Sequence, residues 1–129
     1  MSLEAITAAL LNQAPITAIA GNRISLAQRP PDGGYPAIVY MTVETDPVRM
    51  FSAQRELIRG RIQVATIAVD AGGAMSLMQK VVENLRHKRG TFANHRVLDV
   101  LHDSTSGAER DNDAGVWMTT HDFVVTYYE

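Results

Sequence analysis

Two dipeptides in this 129-residue chain carry the side chains best suited to chemistry: His102-Asp103 and His121-Asp122. Imidazole and carboxylate are zinc and iron ligands, and a metal-dependent hydrolase could be built on His102, His121 and Asp122. Such sites need three or four convergent donors. Both dipeptides lie in alternating, strand-like sequence, where neighbouring side chains point to opposite faces. Each pair therefore offers one donor per face and falls short of a ligand set. Ser104 and Ser106 lie near His102, but no Gly-x-Ser-x-Gly elbow is present to expose a nucleophile. Gly72-Gly73 stands between a strand and a helix without the Gly-x-Gly-x-x-Gly or Gly-Lys-Ser/Thr spacing of a phosphate loop, so it reads as a tight turn. Arg86, Lys88, Arg89 and Arg96 form a basic patch with no interleaved aromatic platforms, which reads as solvated helix-end charge. The expectation is a protein with no catalytic residues, no metal and no cofactor.

A second charge pattern points to assembly. Arg49, Arg55, Arg59 and Arg61 concentrate in and after one long connection, and Glu109, Asp111 and Asp113 concentrate in another polar loop. They are either two solvated loops or the two halves of a head-to-tail contact between identical subunits, which closes a ring.

The elements that must position these residues follow from periodicity. The stretch from Gly115 to Glu129 alternates Trp117, Thr119, His121, Phe123, Val125 and Tyr127 with Val116, Met118, Thr120, Asp122, Val124, Thr126 and Tyr128, a strand pattern bulky on both faces. It is expected to be central or next to central, with Trp117 and Phe123 buried, and the chain to be a complete domain. Ser2 can cap a first helix carrying Glu4 in its first turn and a stripe of Leu3, Ile6, Leu10 and Leu11. Pro15 opens a short second helix that Gly21 ends. Asn22 to Ala27 reads as a short strand, Gln28 to Gly34 as a loop and Tyr35 to Glu44 as a strand. Asp46-Pro47 opens a connection running to about Gln54. Glu56 to Asp70 is a long strand with a β-bulge expected near Ala65, where the inward set switches from Ile58, Ile62 and Val64 to Ile67 and Val69. The main helix carries a stripe of Met75, Met78, Val82 and Leu85 flanked by Leu77 and Val81. Its last turn is Arg86-His-Lys-Arg89, and Gly90 closes it. Arg96 to Asp103 is a strand, and Ser104 to Ala114 a polar loop. The sum is an α+β domain over residues 1–129: a mainly antiparallel sheet of about five strands with a main helix and an N-terminal helix packed on it.

Composition agrees. A hydrophobic share of 46% with 20% charged residues describes a chain able to bury a core. A net charge of −2 provides no global field for nucleic acid or anionic membrane. Zero cysteines exclude disulfides and thiolate metal sites and fit a reducing cytoplasm. The N-terminus lacks a basic n-region, and no apolar run approaches the ~18 residues of a spanning helix.

Specific segments carry a family likeness. Met-Ser-Leu-Glu-Ala, Ile19-Ala-Gly21-Asn-Arg-Ile24, Tyr35-Pro-Ala-Ile-Val-Tyr40, Gly60-Arg-Ile-Gln-Val64, the helix Ala74 to Leu85, Arg89-Gly90-Thr91 and Asp122-Phe-Val-Val-Thr-Tyr-Tyr-Glu129 follow in order over nearly the whole chain. Together they resemble the tail-completion proteins, the tail-terminator or tail-to-head joining family of long-tailed bacteriophages and prophages. The resemblance implies a structural α+β subunit, commonly a hexameric ring, on the head-proximal end of the tail tube. There it would end tube polymerisation and face the head connector. Its implied partners are copies of itself, the tail tube protein and head-tail connector proteins, with no specific nucleic acid and no membrane. It would assemble in the bacterial host cytoplasm and reside in the virion neck. Another neck component, a head-closure or adaptor protein, is the alternative within the same class.

Overall fold

The computed structural model describes residues 2–28, 34–48, 56–112 and 115–129. Their elements are α1 (Ser2–Leu11), α2 (Ala14–Ala20), β1 (Ile24–Leu26), β2 (Ala37–Val48), β3 (Leu57–Ala68), α3 (Ala71–Leu85), β4 (Gly90–Phe92), β5 (His95–Thr105), β6 (Glu109–Asp111) and β7 (Val116–Tyr128). The strands form one sheet ordered β1-β2-β3-β7-β5-β4, with β6 pairing β7 beyond the end of β5. The α+β class agrees with expectation, but the sheet has seven strands rather than about five, and β1 pairs β2 in parallel. The strands missed by periodicity, β4 and β6, have three residues each, too few to show a repeat.

The three helices cover one face of the sheet. Leu3, Ile6, Leu10 and Leu11 of α1 are buried as their spacing required, in one core with Ile38, Ile62, Val64 and Phe123 of the sheet and Leu77, Val81 and Leu85 of α3. Pro15 lies in the first turn of α2, which leaves α1 at an 80° bend, and Gly21 exits at φ +60°. The Gln13 side-chain amide pins this corner, donating to the Leu10 and Asn84 carbonyls. Among the described residues no single helix is long and apolar enough to cross a membrane.

Strand β7 lies between β3 and β5, central as expected, with Phe123 fully buried. Its neighbours protect its amides along both edges. The Phe123, Val124 and Val125 amides should thus exchange with solvent only through global unfolding, the slowest class in a hydrogen-exchange experiment. Fast exchange at these three would place β7 at an edge. Trp117 departs from expectation: it is only half-buried, at the stretch of β7 that pairs with the exposed β6.

Three further expectations are corrected. No bulge interrupts β3 near Ala65, since β3 pairs β7 without a break from Leu57 to Ala68. Ile58, Gly60, Ile62, Val64, Thr66 and Ala68 are all inward, and Val69 is 67% exposed. Thr66 joins the buried set because its hydroxyl donates to the Ala74 carbonyl, which lets a polar side chain face α3. Helix α3 ends at Leu85 rather than at Gly90. Arg86 leaves helical geometry, and the His87 amide donates to the Val100 carbonyl on β5. Met75 of the expected stripe is exposed; Ala74, Leu77, Met78, Val81 and Leu85 form the buried face.

Asp46 and Pro47 belong to β2, which runs to Val48; the rest of the expected connection lies outside the described residues. The ladder explains how a strand tolerates this proline. The Ile38 amide and Tyr40 carbonyl face β1, so alternate residues of β2 face outward. A bulge between Thr42 and Glu44 shifts the alternation, and thereafter Thr45 and Pro47 face outward, opposite Gly60 and Ile58. Pro47 has no amide hydrogen to offer there and loses no ladder bond. The bulge, the proline, Glu44 and Asp46 together block another strand from adding along this edge.

Candidate functional site

The two His-Asp dipeptides do meet in space, but the pleat sorts them by face. On the helical face His102 of β5 and His121 of β7 are joined by a 2.8 Å Nε2–Nδ1 hydrogen bond, one ring donating and the other accepting. Their rings are nearly parallel at 11°, and His102 also stacks on Phe123 at 5.1 Å. On the opposite, helix-free face Asp103 and Asp122 share the Arg61 guanidinium, at 2.6 and 3.3 Å, with Glu44 at 3.9 Å. The β5 register shift between His102 and Ser104 makes Asp103 the extra residue there. Donation to Asp103, reinforced by Asp122, raises the Arg61 pKa above its ordinary value. Among the described residues no group of three His, Cys, Asp or Glu converges as a metal would require.

Ser106 is spent on the backbone, its hydroxyl donating to the Thr120 carbonyl. Gly72-Gly73 forms the first turn of α3, and Asp70 caps it by accepting from the Gly73 amide. A carboxylate of the chain itself thereby occupies the position a phosphate would need.

Burial lowers the His121 pKa, the neighbouring His102 lowers it further, and Asp122 opposes both. The sign of the stability effect follows. A folded-state pKa below the unfolded 6.5 means the unfolded chain binds more protons. Stability should be unaffected above about pH 7 and fall as pH drops through 6.5 toward the folded value. Melting temperature followed from pH 8 to pH 5 should decline more steeply in the wild type than in His121→Gln, in the approach to acid. Equal slopes would mean the pair contributes nothing to this window.

Of the residues expected at a subunit interface, Arg49, Arg55 and Asp113 lie outside the described residues. Arg59 is exposed on the helix-free face near one end of β3, and Arg61 beside it is held by the chain's own carboxylates. Glu109 and Asp111 are exposed on β6, which pairs with the far end of β7. That end of β7 pairs with Ile67 and Ala68, so the two charged groups are separated by roughly 30 Å along the sheet at ~3.3 Å per residue. The fold keeps them apart within one subunit. What sequence reading missed is the three-carboxylate grouping around Arg61, and also the cleft beside the histidine pair. Alternation along β3, β5 and β7 could have found the first once the strand order was known.

The described residues define a two-layer α+β protein in which the three helices cover one side of the sheet. The model of the family Tail completion protein gp17 matches residues 4–128, and the chain belongs to that family. Among solved structures, a chain of "Virion of native gene transfer agent (GTA) particle" is similar in fold. The TM-score is 0.69 at 15% identity, covering 98% of this chain and 93% of that one. No curated protein sequence matches.

Proposed function

We propose that this protein is a structural part of a phage or prophage tail neck that caps the head-proximal end of the tail tube. It ends tube polymerisation and joins the tail to the head connector proteins, as a hexameric ring and without a catalytic step. The observation that carries this reading is the family match over residues 4–128. The wide separation of Arg59 from Glu109 and Asp111 supports a head-to-tail contact, because each subunit then offers two different patches.

In the ring, Arg49, Arg55 and Arg59, with Arg61 at their margin, face Glu109, Asp111 and Asp113 of the next subunit. Exposed ion pairs are worth only ~0–1 kcal/mol each, so the isolated ring is weak and salt-sensitive, and the tube end reinforces it. Light scattering after size exclusion should show larger species with rising concentration at low salt. Reversing Arg49, Arg55 and Arg59 to Glu should suppress them, and adding Glu109→Lys and Asp111→Lys should partly restore them. Intact oligomers in the reversed variant would put the contact elsewhere. Electron microscopy of cells lacking the gene tests the role itself. Overlong tails are the expected result, whereas tails of normal length that fail to attach would make the protein a head-closure or adaptor component.

A further inference from the structure

The first turn of α1, the bulged part of β2 and the end of β7 line a small cleft of about 190 Å3. Whole small molecules take roughly 300–1,000 Å3, so this one suits the tip of a single chain. Its polar wall is all oxygen: the Glu4 and Glu129 carboxylates and the hydroxyls of Ser2, Thr42, Thr45 and Tyr127. Ser2 donates to one oxygen of Glu129 at 2.7 Å and Thr42 to one oxygen of Glu4 at 3.1 Å. The second oxygen of each carboxylate has no partner among the described residues, and no Lys, Arg or His lines the cleft. The N-terminus of α1 supplies about half a positive charge, too little to balance two carboxylates. Tyr127 is the second, independent observation, at 2% exposure. Burial first, then the charges of Glu129, Glu4 and Glu56, push its pKa up to about 12, so at neutral pH it is a hydroxyl. That hydroxyl makes no hydrogen bond among the described residues. The one unpaired buried side-chain atom closed to solvent among them is Thr119 Oγ1, so the Tyr127 oxygen opens into the cleft its side chain lines.

We propose that this cleft binds a primary ammonium group, whose N–H donors meet the free oxygens of Glu4 and Glu129 and the Tyr127 oxygen. The inventory matches: three donors and no acceptor on the cation, and an acceptor for each in the cleft. A divalent metal fits less well. Calcium takes roughly six to eight oxygens, several of them carboxylate, and no third acidic or histidine side chain converges here among the described residues. A guanidinium also fits less well, because it pairs side-on with both oxygens of one carboxylate, and a hydroxyl already holds one oxygen of each. A lysine side chain of another protein and a free diamine share the ammonium head. The site stands apart from the neck reading and does not depend on it.

Chemical-shift titration of the purified full chain with n-butylammonium chloride tests this, against tetramethylammonium chloride at matched ionic strength. Butylammonium should shift the Tyr127 and Glu129 amides saturably, with a Kd on the order of 1 mM. Tetramethylammonium carries the charge without N–H donors and should bind at least about tenfold more weakly. Glu4→Gln should weaken butylammonium about tenfold and Tyr127→Phe about threefold, the scales of a charged and a neutral hydrogen bond. Both variants should melt no lower than wild type, since glutamine keeps the oxygen that Thr42 needs and the Tyr127 hydroxyl bonds nothing within the described chain. The comparison of the two cations needs no variant, so it decides even if a substitution unfolds the protein. Nα-acetyl-lysine methylamide and 1,5-diaminopentane then separate the sources. Equal affinity assigns the cleft to a lysine side chain. Tighter binding of the diamine by about tenfold, its second ammonium drawn to Glu56, assigns it to a free diamine. Equal shifts from tetramethylammonium would reduce the effect to screening and overturn the site, as would undiminished binding by folded Glu4→Gln and Tyr127→Phe. Displacement of butylammonium by micromolar calcium chloride would overturn it in favour of a metal.

Discussion

Phe123→Ala should lower the free energy of unfolding by about 3–5 kcal/mol, the range for emptying a fully buried aromatic site. Phe123 heads the fully buried side chains, at 0% exposure on the central strand. Its neighbours resist collapse into the space. Ile62 is its partner across β3, and His102 stacks on its ring at 5.1 Å while bonded to His121. Each is held by its own strand, so the cavity stays open and the cost stays near the top of the range. Urea unfolding should show a lower midpoint with an unchanged slope. A loss below about 1 kcal/mol would mean that the ring does not sit in the core. Trp117→Ala, two turns of the pleat or more away and half-buried, should cost less, which inverts the size order of the two side chains.

Gly60→Val should destabilise by about 1–3 kcal/mol through overpacking rather than cavity formation. Gly60 is an inward residue of β3, and a Cβ there would stand 2.5 Å from Leu3 Cδ2, 3.2 Å from Cδ1 and 3.3 Å from Cγ. Leu3 has no room to retreat, being 2% exposed on the first turn of α1. That helix is tethered by Glu4, which accepts from Thr42, and by Ser2, whose hydroxyl donates to Glu129. Valine would therefore have to lift the start of α1. The specific check is a double-mutant cycle: Leu3→Ala, destabilising alone, should reduce the penalty of Gly60→Val when the two are combined. Simple additivity would mean that these residues do not touch.

Periodicity made the long elements legible. The α1 stripe, Pro15, Gly21 and the two-faced bulk of β7 each fixed one local feature that no distant contact overrides. What stayed hidden depended on pairing. The inward set of β3 includes Gly60 and Thr66, which no hydrophobic pattern marks: one is inward because Leu3 needs the space, the other because Ala74 accepts its hydrogen bond. Pro47 reads as a strand breaker until the edge it faces is known. The same holds for the candidate site. His102, Asp103, His121 and Asp122 stood out as residues, and their opposite faces followed from the pleat. Arg61 joined them only through the adjacency of β3, β7 and β5.

The place of β7 in the middle of the sheet also shapes how the chain is made. It leaves the ribosome after the six other described strands, yet it joins β3 to β5. Before it emerges, β1, β2, β3 and the helices can gather, but β3 keeps an edge bare from Leu57 to Ala68 that β7 will later cover. Non-local pairing of this kind is slow to form and open to misassembly while it waits. A nascent chain stalled before Val116 should accordingly be the species that recruits chaperones or precipitates, whereas emergence of β7 lets the sheet close.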